Sequence, residues 1–580
     1  MKILLVHPDD SVEAGPWTET RWNLIVDLGW SGRSSYARQA EHFGCRVLSI
    51  YDLLDHERHR RRLCEILGLG LNRVVDSESI DWWDVVSTLH YQRIEQLMLL
   101  GILAEQIPDD AEIFATRTHF LSSALSTLLQ RKIRVFLADR QTGIGAAAGR
   151  YMKAVSALRA SQLAEIAFDK WDTGYRLRRL VSRRPPASTA PAVLLPSAYV
   201  NVSRAQLAYA QMLPHRRFLL VVTRPSGRRL LIPANVELRS LASYAPGFSR
   251  AIESEGAGLL RKWRELLNDR LARDAVLGLA TKLGMFEGFG SLLQSGLRVR
   301  EAWREVIARE PITALLSADE HNRFTRFPIV LARTRKLRTV FCDHGALNMS
   351  FGIRPACSDI YLASGEMARD YMIEWCGLRA DKVVVGGPLK GHRPLPSSGQ
   401  QGSGQGARDW IVFFSEQYEI SSARTQTLYS ELLPELCWLA RQNNRKVIVK
   451  LHPFESLRMR KAIIDKVVPA EQRGLIEMRA GPMTSDLFER AWFSITVESS
   501  VAVESTSNGV PCFLCGWFDV SWYDYVKQYA KYDAGHLLDS PESVRQIPQR
   551  LDGIKITDAT RQALHTFISP DELDSILFRA

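Results

Sequence analysis

Polar side chains follow three apolar, strand-like segments in the last third of the chain. The segments WIVFF, KVIVK and WFSIT each show the β-branched and aromatic pattern of a buried strand. The polar residues at or just beyond their ends that we select as ligand-binding candidates are Ser415, Gln417, Lys450, His452, Pro453, Glu498, Ser499 and Ser500. Ligands of open parallel sheets bind beyond the carboxyl ends of the strands, so these residues predict a single binding edge.

The segment TVESSVAVESTSNGVPCFL adds a phosphate-binding pattern to this edge. A helix is predicted to begin after Ser499 and Ser500, and the unpaired N–H groups and dipole of a helix N-terminus favour an anion. Glu504 follows Ser500 by four residues, which places it on the same helix face one turn further along. A carboxylate there can accept hydrogen bonds from both hydroxyls of a ribose. The pattern therefore predicts a nucleotide site.

Group transfer from a nucleotide requires a neutralised leaving phosphate and a base for the acceptor hydroxyl. We expect Lys450 and His452 to offer positive charge and a hydrogen bond to the phosphate. Pro453 is expected to fix the backbone that aims His452. Glu455 is attributed instead to the dipole of the helix that follows it.

The candidate catalytic groups lie earlier in the chain, each near the expected end of a strand. They are His344, Asp343, Glu320 and Asp27. Each carboxylate is a candidate general base, and the alternative for each is an exposed loop acid. His344 is expected to touch the donor phosphate or to act on the acceptor. No D-x-D sequence lies near a strand end, so we predict neither a metal nor a cofactor.

Strand-like and helix-like segments alternate on both sides of a stretch rich in Gly, Ser, Gln and Pro. This alternation favours the α/β class, with two doubly wound Rossmann-like domains facing one another across a cleft. The predicted boundaries are an N-terminal acceptor domain at 1–392, with α/β insertions around 150–310, then a linker at 393–408. A C-terminal nucleotide-donor domain is predicted at 409–580.

Composition excludes few classes of partner. The chain has 580 residues, too many for one compact core, with 46% hydrophobic and 24% charged residues. Its formal net charge of +11 serves solubility or permits an anionic partner. The basic segments 56–67 and 176–184 predict a solvated face, an anionic polysaccharide contact or a peripheral contact with an acidic membrane surface. Nucleic acid is disfavoured because no recognised binding module is present.

The sequence predicts a cytoplasmic location, and the basic segments leave open a peripheral position on the inner face of the cell membrane. No apolar run reaches the roughly 18 residues of a transmembrane helix, and MKILLVHPDD is typical of a first strand rather than a secretory signal. Eight cysteines show no disulfide framework, which suits a reducing compartment. For the C-x-x-C pair, Cys512 and Cys515, we predict core packing rather than redox chemistry or zinc binding.

The motifs of the second half also resemble those of a known family. S-x-x-x-E followed by G-x-P resembles the donor-nucleotide signature of GT-B glycosyltransferases, in which serines hold the diphosphate and the glutamate holds the ribose. The H-P end and the serine pair are similar to bacterial polysialyltransferases and Kdo transferases, and equally to the polyol-phosphate transferases of teichoic acid synthesis. Those transferases carry an earlier Q-H-G tripeptide, where this chain has Asp343, His344 and Gly345. The resemblance covers roughly residues 311–520.

The resemblance implies a metal-independent GT-B glycosyltransferase of bacterial surface-polysaccharide synthesis, such as that of capsule or lipopolysaccharide. Its donor would be a nucleotide sugar, CMP-activated in preference to UDP- or GDP-activated, and its acceptor an oligosaccharide, polysaccharide or lipid-linked glycan. The alternatives are a polyol-phosphate transferase or a nucleotide-sugar epimerase of the same fold, and a non-catalytic GT-B scaffold in glycan assembly.

Overall fold

The described residues of the chain form three parallel β-sheets in a computed structural model. The described residues are 1–7, 10, 12, 15–28, 39–53, 56–137, 160–183, 185–186, 189–225, 231–247, 249–343, 357–388, 408–416, 422–452, 455–481, 483–518 and 525–578. Every pair of neighbouring strands in these sheets is parallel.

The first sheet is five-stranded, with the order β3-β2-β1-β4-β5. Its strands are β1 (Lys2–Val6), β2 (Leu24–Asp27), β3 (Arg46–Ser49), β4 (Glu112–Arg117) and β5 (Arg134–Leu137). Trp17 and Trp22 are buried against it, and the Trp22 ring meets the Phe114 ring edge-on at 5.3 Å between centroids. Aromatic burial of this kind contributes a large share of a small sheet's packing energy.

The second sheet is seven-stranded, with the order β12-β11-β10-β9-β6-β7-β8. Its strands are β6 (Ala192–Ser197), β7 (Phe218–Val222), β8 (Val236–Ser240), β9 (Ile312–Ser317), β10 (Arg338–Cys342), β11 (Ile360–Ala363) and β12 (Val383–Val385). The central strands β6 and β7 are buried along their whole length, as expected for a parallel sheet covered on both faces.

The third sheet is six-stranded, with the order β15-β14-β13-β16-β17-β18. Its strands are β13 (Trp410–Phe414), β14 (Lys446–Lys450), β15 (Ile476–Arg479), β16 (Ala491–Thr496), β17 (Cys512–Cys515) and β18 (His536–Leu538). In each of the three sheets the first strand lies beside the fourth, so the strand order reverses between them. These orders confirm the predicted class of doubly wound, Rossmann-like α/β domains.

The α-helices of the described ranges connect and cover these strands. Up to residue 210 they are His56–Gly68, Trp82–Gln106, Phe120–Leu129, Ala160–Ala167, Arg178–Val181 and Val200–Ala210. From 250 to 370 they are Arg250–Glu265, Ala275–Lys282, Phe289–Arg309, Arg323–Thr334 and Glu366–Asp370. The remainder are Ser422–Gln442, Leu457–Val467, Asp486–Glu489, Val501–Ser507, Tyr525–Lys531, Ile547–Leu551, Asp558–Leu564 and Pro570–Phe578.

The architecture of residues 1–392 differs from the expectation of one domain with insertions around 150–310. Two sheets occupy this stretch, and β6, β7 and β8 are three of the seven strands of the second one. The interpretation missed β6 because its short run, AVLLPS, contains Pro196, which usually disfavours a central strand. What we read as insertions is therefore the start of a Rossmann-like sheet.

The chain divides into two compact units. One comprises 1–56, 98–140 and 392–565, and the other 57–97, 141–391 and 566–580. The last residues therefore belong with the second sheet rather than with the third. Their backbone is hydrogen-bonded there, because Gly387 N–H donates to the Thr566 carbonyl at 2.7 Å and Ile568 N–H donates to the Gly387 carbonyl at 3.0 Å.

Candidate functional site

The carboxyl edge of the third sheet brings the ends of β13 and β16 together at the reversal of strand order. Glu416 follows β13 and ties these two ends to each other. Its Oε1 atom accepts hydrogen bonds from Thr496 Oγ1 at 2.8 Å and from the Glu498 backbone N–H at 2.9 Å. Sequence reasoning did not select Glu416 as a site residue, although its position directly after a central strand was a usable signal.

Glu455 organises the loop that follows β14. Its side chain is fully buried. Oε1 accepts from Ser415 Oγ at 2.8 Å and from Arg460 Nε at 2.7 Å, and Oε2 accepts from the His452 backbone N–H at 2.7 Å. A helix dipole does not explain so many contacts, so our dismissal of Glu455 was wrong. It holds His452 in place through the backbone.

Ser415 serves this arrangement. Besides Glu455, its hydroxyl hydrogen-bonds the phenol oxygen of Tyr429 at 2.8 Å, and the residue is only 5% exposed. A serine hydroxyl has one proton, which here points into the domain. These contacts favour a structural role for Ser415 over the predicted contact with a donor.

Lys450, the last residue of β14, is likewise hydrogen-bonded within the protein. Its Nζ donates to the carbonyls of Leu451 at 3.0 Å and Gly481 at 2.8 Å, and the residue is 4% exposed. Burial lowers the pKa of the Lys450 ammonium, and the Glu455 carboxylate opposes that shift. Two of the three ammonium donors are thus used on backbone carbonyls, one of them in the loop at Gly481, which favours a structural role.

His452 is half-buried at the carboxyl edge. Burial lowers its pKa below the ordinary value, and the neighbouring Lys450 ammonium lowers it further. The imidazole is therefore neutral at pH 7, with one donor and one acceptor nitrogen. His452 can exchange hydrogen bonds with a phosphate or a sugar, but it does not supply the positive charge that we predicted.

Ser500 and Glu504 keep their hydrogen-bonding capacity. Both are half-buried, and neither side chain makes a hydrogen bond or ion pair with any residue that the structure describes. Ser499 differs, because its Oγ accepts from the Val501 backbone N–H at 3.4 Å. The helix Val501–Ser507 has seven residues, so its short dipole contributes less than the pattern suggested.

Three predicted residues lie outside the described ranges. They are Gln417 and Pro453 of the donor edge and His344 of the D-H-G tripeptide. Glu498, by contrast, is placed through its backbone, which contacts Glu416 and accepts from Tyr529 Oη at 3.4 Å.

Two predicted carboxylates lie beyond neighbouring strands of the second sheet. Asp343 follows β10, and its Oδ2 accepts a hydrogen bond from Ser364 Oγ at 2.8 Å. Glu320 is 3% exposed, and its two oxygens accept from the hydroxyls of Ser358 and Tyr361. Buried and doubly bonded, Glu320 fits a structural carboxylate better than a general base.

Asp27 ends β2 of the first sheet and is buried. β1 lies beside β2, and β4 lies beside β1. Polar residues that we did not select from the sequence lie at or beyond the ends of β1 and β4. The imidazole rings of His7 and His119 meet edge to face at 4.7 Å between centroids, and Arg117 forms an ion pair with Asp10. The sequence signal that we missed is that β1 and β4, which are adjacent where the strand order of the first sheet reverses, are both followed by polar residues.

A groove of about 330 Å³ lies at the opposite edge of the third sheet. Its lining includes Arg408, Trp492, Gly509 and Pro511, which stand at or before the starts of β13, β16 and β17. Ligands of doubly wound sheets bind at the carboxyl edge, so we assign no donor site to this groove.

The described residues contain no group of three or more side chains suited to hold a metal ion. Cys512 and Cys515 are free and buried in β17, and burial raises the pKa of the Cys512 thiol to about 12. Within the described ranges, no helix combines the length and the apolar character needed to cross a membrane.

Comparisons with known proteins give weak structural likenesses. No family model and no curated protein sequence matches the chain. Solved structures that it resembles include UDP-GlcNAc 2-epimerase from Methanocaldococcus jannaschii, with 11% identity, a TM-score of 0.40, and coverage of 68% of this chain and 100% of that one. A UDP-glucosyltransferase from Polygonum tinctorium gives 13% identity, a TM-score of 0.40, and coverage of 68% and 99%. At these identities and TM-scores, the likenesses do not bear on the activity of this chain.

Proposed function

We propose that the protein is a glycosyltransferase that moves a sugar from a nucleotide-activated donor to a bacterial surface glycan. The observation that carries the proposal is the pair Ser500 and Glu504. Both are half-buried, lie at the reversal point of a doubly wound sheet, and have no partner in the described part of the chain. Polar groups left available at this point of the fold are the usual place for a nucleotide.

Each group at this edge has a role that its chemistry supports. The Glu504 carboxylate would accept hydrogen bonds from the ribose hydroxyls, and Ser500 would donate to a phosphate oxygen. His452, neutral and aimed by Glu455, would donate one further hydrogen bond to the leaving phosphate. Lys450 and Ser415 would support this arrangement rather than touch the donor, and Ser499 would assist through its backbone.

The acceptor side of the proposal rests on the second sheet. Asp343 is the described carboxylate that we favour as general base, with His344 beside it in the sequence. A CMP-sugar is the favoured donor because of the motif resemblance, with UDP- and GDP-sugars as further candidates. The proposed reaction uses no cofactor and no metal.

Calorimetric titration with CMP, UDP, GDP and CDP-glycerol tests the donor site. We expect one nucleotide to bind, and Glu504→Ala to weaken it by about tenfold or more through loss of charge-assisted hydrogen bonds. Glu471→Ala is the matched control, since Glu471 is an exposed carboxylate on the same domain ahead of β15. If no nucleotide binds at millimolar concentration, the donor site is refuted and the scaffold alternative gains support.

The two enzymatic alternatives differ from the transferase in their products. An epimerase would isomerise a nucleotide sugar without any acceptor, whereas a glycosyltransferase given no acceptor would not isomerise it. A polyol-phosphate transferase would prefer CDP-glycerol in the titration and release CMP on transfer. Isomerised product in the acceptor-free incubation would defeat the transferase proposal.

We also propose that segment 163–183 makes a peripheral contact with an acidic membrane surface. Its apolar side chains are unusually exposed, with Trp171 at 71%, Leu177 at 61%, Leu180 at 68% and Val181 at 85%. Exposed arginines lie among them at 176 and 183. Apolar groups flanked by arginine suit the boundary between acyl chains and anionic headgroups. The other basic segment is less suited, because Arg60 and Arg62 bind Trp375 and Asp274 within the protein.

Vesicle sedimentation tests this contact. The chain should bind phosphatidylcholine vesicles that contain phosphatidylglycerol, and the double variant Leu180→Ser, Val181→Ser should lose that binding. Leu457→Ser with Met459→Ser is the control, since these side chains are also exposed, at 46% and 60%, on another part of the chain. Equal loss in both variants, or no binding by the unaltered chain, would overturn the proposal.

A further inference from the structure

A cluster of polar side chains lies where the strand order of the second sheet reverses, between β6 and β9. None of these side chains belongs to the proposed donor site. Tyr199 lies two residues beyond β6, and Asn322 and Arg323 lie beyond the neighbouring strand β9. Arg323 is the first residue of the helix Arg323–Thr334. The same edge of the fold that we assign to a donor in the third sheet thus carries polar groups here as well.

The hydroxyl of Tyr199 is held in a defined orientation. Its oxygen accepts from Asn322 Nδ2 at 3.1 Å and from Arg224 Nη1 at 3.3 Å. Asn322 is itself fixed, because its Oδ1 accepts from the Phe324 backbone N–H at 2.9 Å. With both lone pairs of the phenol oxygen engaged, its proton must be donated outward, and none of the described residues accepts it.

Arg323 has unused donors as well. The guanidinium is half-buried over the Phe324 ring, at 5.0 Å from its centroid, and makes no hydrogen bond or ion pair with a described residue. A cation at the first position of a helix is opposed by the helix dipole. Burial lowers the pKa of Arg323, while Asp169 acts in the opposite direction. Within the described residues, Arg323 thus has a ring contact and the attraction of Asp169, but its N–H donors have no hydrogen-bond acceptor.

The carboxylates around Arg323 are already engaged. Glu165 and Asp169 bind Arg224, at 2.9 Å to Nε and 2.7 Å to Nη2. Asp319 Oδ1 accepts from two backbone N–H groups, those of residues 321 and 322, at 2.8 Å and 3.2 Å. These contacts leave Arg323 and the Tyr199 hydroxyl as the donors with free capacity in the cluster.

We propose that Arg323 and Tyr199 bind an oxyanion, either the carboxylate of an acidic sugar or a phosphate monoester. A guanidinium presents paired N–H groups that match both geometries, and the phenol adds a third donor. Binding of the oxyanion does not depend on the proposed transferase activity. Its identification as the acidic group of a glycan acceptor does rest on that proposed function.

Calorimetry on the full chain tests the site with D-glucuronate and glucose 1-phosphate, and with glucose as the neutral comparison. At least one acidic probe should bind and glucose should not. Arg323→Met should weaken binding about tenfold or more, Tyr199→Phe should weaken it by a smaller factor, and Arg323→Lys should retain part of it. Arg335→Met is the matched control, because Arg335 follows the other end of the same helix.

The results distinguish a soluble oxyanion from a lipid phosphate, and the oxyanion site from the proposed donor site. If vesicles containing phosphatidic acid bind through Arg323 and the soluble probes do not, the oxyanion is a lipid phosphate. If no acidic probe or vesicle binds at millimolar concentration, or if Arg323→Met binds as the unaltered chain does, the inference is overturned. Nucleotide titration of Arg323→Met should give the unaltered affinity, so failure of this site is distinguishable from failure of the donor site.

Discussion

Removal of the Glu455 carboxylate should destabilise the third sheet and weaken nucleotide binding together. Glu455 accepts hydrogen bonds from Ser415, from the His452 backbone and from Arg460 while fully buried. The variant Glu455→Ala leaves the Arg460 guanidinium, whose side chain is 12% exposed, without its carboxylate partner. Breaking one side of a buried pair costs about 3–5 kcal/mol, more than the roughly 1 kcal/mol of a neutral hydrogen bond.

The assay is urea unfolding followed through hydrogen exchange of β13 and β14, because a chain with two compact units does not unfold as one two-state body. The double variant Glu455→Ala, Arg460→Met should recover part of the loss, since the unpaired cation is removed as well. Glu471→Ala provides the exposed-carboxylate control. A change below about 0.5 kcal/mol for Glu455→Ala, a value typical of surface substitutions, would refute the role of Glu455 as the centre of this loop.

Three further predictions concern groups with shifted pKa values. The pKa of His452 is lower in the folded protein than in the unfolded chain, so acidification below about pH 6.5 protonates the unfolded chain first and destabilises the fold. Between pH 7 and 5, the variant His452→Gln should therefore lose less unfolding free energy than the unaltered protein. The Arg300 guanidinium lowers the pKa of Glu255 to about 2. The stability that this pair provides should therefore be complete above the ordinary pKa of a glutamate and should fall as the pH drops toward 2. The variant Arg300→Met should lack this stability already at pH 7. Native-state alkylation mapped by mass spectrometry should leave Cys512 and Cys515 unmodified, because both thiols are buried and their pKa values raised; rapid modification of either would contradict their place in the core.

The sequence predicted the third sheet well because its signals are local. Apolar runs ending in Ser415, His452 and Ser499 mark β13, β14 and β16, and parallel geometry then brings their ends to one edge. The sequence could not show which of the polar side chains at the strand ends are already hydrogen-bonded within the protein. Whether Lys450 faces a ligand or the carbonyl of Gly481 depends on a loop some thirty residues away, and no periodicity encodes that contact.

The same reason explains the errors in the first two thirds of the chain. β6 contains a proline, and its place in the second sheet is set by pairing with β9, more than a hundred residues later in the chain. Arg323 and Tyr199 are likewise far apart in sequence and meet only because β6 and β9 are neighbours. Long-range pairing of this kind follows from topology, which strand propensity alone does not determine.

A crystal structure of the chain with the nucleotide that binds in the calorimetric screen tests the central claim most directly. The account predicts the ribose hydroxyls within hydrogen-bond distance of the Glu504 carboxylate and a phosphate oxygen against Ser500, at the carboxyl edge between β13 and β16. A nucleotide bound elsewhere, with the Glu504 carboxylate facing solvent, would contradict it.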